Sequence, residues 1–340
     1  MTDRRPRLTP AIADVRRAVR DALPAEGTVL VALSGGPDSL ALAAATAFEA
    51  PRAGLAAGAI VIDHGLQNGS DAVAERAASA ARALGLAPVD VVRVEVVETG
   101  DGPESAARTA RYAALDAAAR EHDATAILLG HTLDDQAESV LLGLARGAGA
   151  ASLQGMAAQS GLYRRPLLAI RRATTLAACA DAGLEPWNDP HNDDPTYSRV
   201  RVRSSVMPVL ESELGPGVAE ALARTAEQLR EDGAALDTFA EEVAEDVVEL
   251  EEAGLSLGVP ALAANPPALR QRIIRLVVAS EFHVALSRTQ TLEVARLVTD
   301  WGGQGPIDLP GLTAERRGGR IHLISTRAGE LTGQKPPHDH

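Results

Sequence analysis

The chain has 340 residues, 46% of them apolar but very few aromatic, with 46 acidic and 33 basic side chains and a formal net charge of −13, enough length for two domains with separate cores. A single cysteine, Cys179, excludes an intramolecular disulfide, a zinc ribbon and a cysteine-held iron–sulfur cluster, and a single lysine, Lys335 in the tail, excludes a Schiff-base lysine and the lysine of a Walker A loop. The acidic balance argues against nonspecific coating of nucleic acid, and the absence of a long apolar run or of a signal-peptide core in MTDRRPRLTP leads us to expect a cytoplasmic protein without a membrane partner.

From Thr28 onward, short apolar runs alternate with longer periodic ones. TVLVALS, GAIVIDH, VDVVRVEV and TAILLGH read as buried strands; LALAAATAFEA, DAVAERAASAARALG, ESAARTARYAALDAAAREH and DQAESVLLGLARG read as the helices between them. The sheet continues through LYRRPLL to one more helix, RATTLAACADAGL. This alternation implies an α/β fold, a doubly wound and mainly parallel sheet covered on both faces. EPWNDPHNDDPT, rich in Pro and Asx residues, reads as a linker. Beyond it the strand pattern gives way to helical periodicity, with a long acidic stretch read as the solvated face of a bundle, and the last segment reads as a helix followed by a hairpin turning at Gly318-Gly319. The expected organisation is a helical extension at 1–24, a nucleotide-binding catalytic domain at 25–190, a mostly helical domain at 191–330 ending in the hairpin, and a disordered tail at 331–340.

Chemistry concentrates in two motifs. SGGPDS, Ser34 to Ser39, stands between the first strand and the first helix of the sheet. Gly35 and Gly36 permit a turn that aims backbone amides at an anion, Pro37 opens the helix, Ser34 and Ser39 add hydroxyl donors, and the helix N-terminus adds its dipole. The unit reads as a phosphate cradle, and Asp38 within it would repel phosphate unless a cation such as Mg²⁺ intervened. The second motif, GHTLDDQAES from Gly130 to Ser139, follows the fourth strand on the edge where open α/β sheets bind ligands. His131, Asp134, Asp135 and Glu138 fall within eight residues; one Asp is an obvious helix cap, and the set suits either holding Mg²⁺ or assisting proton removal from an attacking amine.

The hexapeptide resembles the PP-loop of the N-type ATP pyrophosphatases. HTLDDQAESVLLGLARGAGAASLQGM, together with IDHGL at 62–66, SAARTARYAAL at 105–115, RRPLL at 164–168 and WNDPHNDDPTYSRVRVRSSVMPVL at 187–210, narrows the resemblance to the tRNA(Ile)-lysidine synthetases, over roughly residues 27 to 325. The resemblance implies a PP-loop domain of the adenine nucleotide alpha hydrolase type. It implies a carbon–nitrogen ligase that uses ATP and Mg²⁺ to adenylate the C2 oxygen of the wobble cytidine in an isoleucine tRNA with a CAU anticodon. Free L-lysine then displaces AMP, and decoding switches from AUG to AUA.

Carried over by position, Ser34, Gly35, Gly36, Pro37, Asp38 and Ser39 would hold the ATP phosphates, with Asp63 and His64 near the nucleotide and Asp38 and Asp135 on the metal. Arg108, Arg111, His131, Asp134, Asp135 and Glu138 would surround the reacting base and the lysine. Asp63 and His64 also fit as loop caps, and Arg108 and Arg111 as a solvated helix face. Arg199, Arg201 and Arg203, with Arg164 and Arg165 and the neighbouring Arg171 and Arg172, are the candidate basic patch for tRNA. Val200 stands where many family members have Asn, the chain resembles the short form without a further C-terminal domain, and the family is often dimeric, which leaves a homodimer open.

Overall fold

A computed structural model describes residues 8–63, 65, 69–94, 103–147, 149–188, 194–252 and 254–326. His64, the expected tail and parts of the linker lie outside the described residues. The chain forms two compact units, Met1–Arg230 and Glu231–His340.

In the first unit, helix α1 (Pro10–Ala22) opens with Thr9 capping the Ile12 amide and Pro10 in its first turn, and buries Ile12, Val15 and Val19 at helical spacing. Strands β1 (Thr28–Ala32), β2 (Ala56–Asp63), β3 (Val89–Arg93) and β4 (Ala124–Leu129) alternate with helices α2 (Pro37–Glu49), α3 (Ser70–Leu84) and α4 (Pro103–Glu121). There follow α5 (Leu133–Ala145), α6 (Ala150–Leu153), the short strands β5 (Gln159–Ser160) and β6 (Tyr163–Arg164), and α7 (Arg172–Ala182). The six strands lie in the order β3-β2-β1-β4-β6-β5, parallel except for β5.

Alternation along the central strands builds the two layers, because successive side chains leave opposite faces of a sheet. Val29, Val31, Ala59, Val61, Ala126 and Leu128 pack into one core with α1, α2, α3 and α7. Leu30, Ile60, Ile127 and Leu129 face the other way, onto Leu115, Ala118 and Ala119 of α4. The doubly wound parallel sheet expected from the sequence is the one observed.

The first unit continues past the Pro-rich stretch. Helix α8 (Ser198–Arg201) runs through a π turn (Val202–Val206) into α9 (Met207–Glu213), and α10 (Val218–Val247) begins beyond a Gly-Pro-Gly bend. Leu133 and Ala137 of α5 pack on Ala219, with Met207, Leu222 and Ala223 around them, so these helices belong physically to the sheet domain although the strand pattern ends before them.

The second unit holds the end of α10, then β7 (Val248–Glu251), β8 (Gly254–Gly258), α11 (Val259–Ala264), α12 (Pro267–Phe282), α13 (Arg288–Thr299), β9 (Ile307–Leu309), β10 (Leu312–Arg317) and β11 (Arg320–Ser325). Its five strands form an antiparallel sheet in the order β7-β8-β11-β10-β9, so the terminal hairpin is joined by three strands that composition did not announce. Leu255 and Leu257 of β8 and Ile321 and Leu323 of β11 pack against Ile273, Ile274, Val277 and Val278 of α12.

Candidate active site

The C-terminal ends of β1 and β4 deliver the two motifs to one place. After β1 the chain turns through Gly35, whose φ of +83° suits glycine, and α2 begins with Pro37 in its first turn and Gly36 as cap. Ser34 and Ser39 tie the loop closed: the Ser34 amide donates to Ser39 Oγ at 3.2 Å, and Ser39 Oγ donates to the Gly36 carbonyl at 3.0 Å. The Trp187 amide donates to the Gly35 carbonyl at 2.9 Å, so the segment after α7 returns to brace the loop. Behind it, Gly130 at the end of β4 sits so close that a Cβ there would lie 3.0 Å from the Ser39 nitrogen and 3.1 Å from its Cα. Gly130→Ala is therefore expected to push the start of α2 outward and weaken ATP binding by about tenfold, as read by nucleotide titration.

After β4, Thr132 and Asp135 form a reciprocal cap on α5. Asp135 accepts from the Thr132 amide at 2.8 Å and from its hydroxyl at 2.9 Å. This turns the second Asp of the motif toward the sheet end with its other oxygen, Oδ1, directed at the arginines of the site. Asp134 takes a different job, accepting from the Arg172 backbone amide at 2.7 Å, with Arg171 at 3.5 Å.

Arg172, at the start of α7, is the hub. Its Nε donates to Asp38 at 3.3 Å, Nη2 to Asp135 at 2.6 Å and Nη1 to Glu138 at 3.2 Å. Arg203 adds a second cation, donating from Nε and Nη2 to Glu138 at 2.7 and 3.1 Å and from Nη2 to Asp135 at 3.4 Å. Arg199 lies 3.7 Å from Glu138 and donates to Ser139 Oγ at 2.9 Å. Thr175 donates its hydroxyl to Asp38. Carboxylates and guanidinium groups thus alternate in a partly buried cluster, in which each needs the others.

The electrostatics follow from this crowding. Burial raises the pKa of Asp38 above the usual carboxylate value, helped by Asp135 and only partly offset by Thr175 and Arg172. Burial pushes Asp135 the same way, but Arg172 and the bonds from Thr132 outweigh it and hold that carboxyl low. Burial opposes the charge of Arg172 as well, and the three carboxylates more than restore it.

His131 is pushed down to about 4, first by burial and then by the guanidinium groups of Arg165, Arg199 and Arg108, against the pull of Asp135. Its Nδ1 is buried with no partner. A folded pKa below the unfolded value of about 6.5 means the unfolded chain binds the extra proton, so this group's contribution to stability is full above about pH 6.5 and declines toward pH 4. We expect the His131 ring resonances to be flat between pH 6 and 8 by NMR; a midpoint near 6.5 would contradict the burial argument.

Other sequence-predicted residues are placed more loosely. Asp63 is buried at the end of β2 and caps the Gly65 amide at 2.9 Å, the loop-cap alternative raised by its sequence context. Arg108 and Arg111 lie exposed on α4, Arg108 over the Tyr112 ring at 4.9 Å. Arg199 and Arg203, four apart on a helical path, share the face toward Glu138, whereas Arg201 turns away to the carbonyls of Pro195 and Thr196. Arg164 donates to the Ala22 carbonyl at 2.7 Å and the buried Arg165 to the Ala157 carbonyl at 2.9 Å, so both are engaged in holding β6 rather than gathered on an open basic face. Val200 is buried, an apolar anchor for α8 where the resemblance would place an amide. Cys179 lies buried with Sγ 3.3 Å from the Pro37 carbonyl and its thiol raised to about 11, so it is chemically quiet. Arg172, which the sequence suggested only as part of the tRNA patch, sits instead among the carboxylates, and Thr175, to which the sequence assigned no role, joins it there.

Among the described residues there is no group of three or more His, Cys, Asp or Glu side chains arranged as a metal cage, and no helix is long and apolar enough to cross a membrane.

The comparisons agree with this geometry. A PP-loop domain family matches residues 9–210, and a TilS substrate binding domain family matches residues 257–322. The tRNA(Ile)-lysidine synthase of Leifsonia xyli subsp. xyli is 66% identical over 294 residues, covering 86% of this chain and 88% of the relative. That of Thermobifida fusca is 52% identical over 305 residues, covering 89% and 93%, and that of Salinispora tropica 52% identical over 332 residues, covering 94% and 98%. Among solved structures, the U34-tRNA thiolase NcsA from Methanococcus maripaludis, described with its 4Fe-4S cluster, superposes with a TM-score of 0.55 at 21% identity over 65% of this chain and 80% of that one, a likeness of fold. With a cradle for phosphates joined to a carboxylate–arginine site and relatives of such identity along nearly their whole length, the chain belongs to the tRNA(Ile)-lysidine synthase family.

Proposed function

We propose that this chain converts the wobble cytidine of an isoleucine tRNA with a CAU anticodon into lysidine, consuming ATP and free L-lysine and releasing AMP and pyrophosphate. The observation that carries the reading is the meeting of the PP-loop with Asp38, Asp135 and Glu138 at one end of the sheet. In the first step the C2 oxygen of the base attacks the α-phosphorus and pyrophosphate leaves. In the second the lysine amine attacks C2 and the oxygen departs with AMP, completing a carbon–nitrogen ligation.

The PP-loop amides, the Ser34 and Ser39 hydroxyls and the N-terminus of α2 bind the polyphosphate. The donor set suits Mg²⁺, which asks for one or two carboxylates and takes its remaining ligands from phosphates and water: Asp38 and Asp135 already bracket a single positive group. Bound there, the ion would neutralise charge on the departing pyrophosphate. Arg203 and Arg199 hold Glu138 in place, and its carboxyl group beside Asp135 is suited to receive the cationic lysine side. His131, with its pKa lowered to about 4 and its Nδ1 unpartnered, would hydrogen-bond the base rather than carry charge. Arg108 and Arg201, both exposed, are suited to meet tRNA phosphates. A cytoplasmic location fits a tRNA substrate.

Labelled lysine incubated with the protein, ATP, Mg²⁺ and an unmodified isoleucine CAU transcript should enter that RNA and not a methionine tRNA. Absence of label in both, with ATP–pyrophosphate exchange retained, would keep the PP-loop assignment and overturn the nucleophile or the RNA.

A further inference from the structure

Arg172 occupies the position that the reading above gives to the metal. Its guanidinium, 19% exposed as a side chain, bridges Asp38 Oδ2 at 3.3 Å and Asp135 Oδ1 at 2.6 Å. A magnesium ion sits about 2.1 Å from each carboxylate oxygen it binds, so ion and guanidinium cannot share the space between these two side chains. The surroundings are built for exchange. When Arg172 withdraws, Asp135 and Glu138 keep Arg203, and Asp38 keeps the Thr175 hydroxyl. The Arg172 backbone stays pinned, since its amide donates to Asp134 at 2.7 Å. Asp38 lies in the first turn of α2, beside the PP-loop amides assigned above to the phosphates, so a guanidinium leaving Asp38 would have the polyphosphate as its nearest new anion.

We propose that Arg172 is a resident cation that reserves the metal site. It holds Asp38, Asp135 and Glu138 together before ATP arrives, keeps free Mg²⁺ out, and moves onto the polyphosphate when metal and nucleotide enter together. Arg172 is thus a positioning residue in the empty site and a phosphate ligand in the loaded one. The fork of a guanidinium suits both carboxylate and phosphate, which a lysine at this position would match less well. The consequence is ordered loading: the metal enters as its nucleotide complex, and the three carboxylates do not scavenge divalent ions in the resting enzyme.

This inference rests on the assignment of Asp38 and Asp135 to the metal, and the experiment separates the two. Binding of Mn²⁺ to the full chain is followed by electron paramagnetic resonance, with and without a nonhydrolysable ATP analogue. Wild type should bind Mn²⁺ weakly alone and tightly with the analogue. Arg172→Gln should bind nucleotide-free Mn²⁺ about tenfold more tightly or better, because a positive charge at contact distance has gone. Arg172→Lys, which retains the charge, should stay near wild type. A folded Arg172→Gln whose nucleotide-free Mn²⁺ affinity is unchanged or weaker overturns the proposal alone. Absence of Mn²⁺ binding to wild type even with the analogue overturns the metal assignment and this inference together. Should Arg172→Gln not fold, the Nε–H resonance of Arg172 in wild type, assigned by its loss in Arg172→Lys, gives the answer. It should shift with Mg²⁺ plus analogue and stay fixed with Mg²⁺ alone, and a resonance indifferent to both overturns the proposal.

Discussion

Asp38→Ala is expected to lower lysidine formation by at least about a thousandfold while leaving the chain folded, the scale seen when a fixed charge at a developing anion is removed. The carboxylate lies in the first turn of α2, beside the amides that would hold phosphate. Nothing in the fold requires a negative charge at that place: burial and Asp135 both disfavour it, and its charge is tolerated because Thr175 and Arg172 meet it. A buried anion kept at such cost next to a phosphate cradle makes sense only where a cation must be held. Removing it relieves repulsion with Asp135 and leaves Arg172 with two other carboxylates, so global stability should change little. Asp38→Asn is the sharper variant, since its amide oxygen can still accept from Thr175 and only the charge is lost. Lysine incorporation and ATP–pyrophosphate exchange should fall together in both variants, with circular dichroism unchanged. Activity of Asp38→Asn within tenfold of wild type would sink the metal role.

The sheet and the PP-loop were legible because each has a local cause. Alternating Val, Leu and Ile in β1, β2 and β4 writes two faces into the strands themselves, and Gly35 marks a left-handed turn that only glycine adopts easily. Asp134, Asp135 and Glu138 stood out by density along the chain. Arg172 was read only as part of a basic patch, because its place in the site comes from three carboxylates that lie 34 to 134 residues away in sequence. The alternating Arg199, Arg201 and Arg203 suggested one basic face, yet the segment is helical, and a four-residue spacing put the outer two on the carboxylates and left the middle one outside. Strands β7, β8 and β9 are five residues or fewer and lie among Gly and Glu, so their pairing is decided by partners at the far end of the chain rather than by local propensity. The same holds for α8, α9 and the start of α10, whose attachment to the first unit rests on a few apolar contacts with α5.

Glu138→Ala is expected to be the most damaging single change to the stability of the first unit, by about 3 kcal/mol or more, since it strips a buried ion network of its shared anion. Glu138 is 1% exposed. Both its oxygens accept from Arg203, at 2.7 and 3.1 Å, one accepts from Arg172 at 3.2 Å, and Arg199 stands 3.7 Å away. The three guanidinium groups repel one another once the carboxylate is gone, and Arg172, 19% exposed, has little access to water in place. Glu138→Gln, which keeps the shape, should lose less, because its amide oxygen can still accept one of these bonds. The distinguishing variant is Glu138→Gln with Arg203→Met. If charge imbalance is the cause, the double variant recovers part of the loss, and the coupling between the two sites should reach about 1 kcal/mol or more. If packing alone is the cause, the two losses add. Urea unfolding followed by Trp187 fluorescence in a Trp301→Phe background reads the first unit separately from the second, since the one remaining tryptophan then lies in the first unit. Catalysis should fail in the same variants for a related reason: without Glu138, Arg203 is left with Asp135 and Arg172 with Asp135 and Asp38, and the carboxylates meant for the metal are neutralised by the protein's own cations.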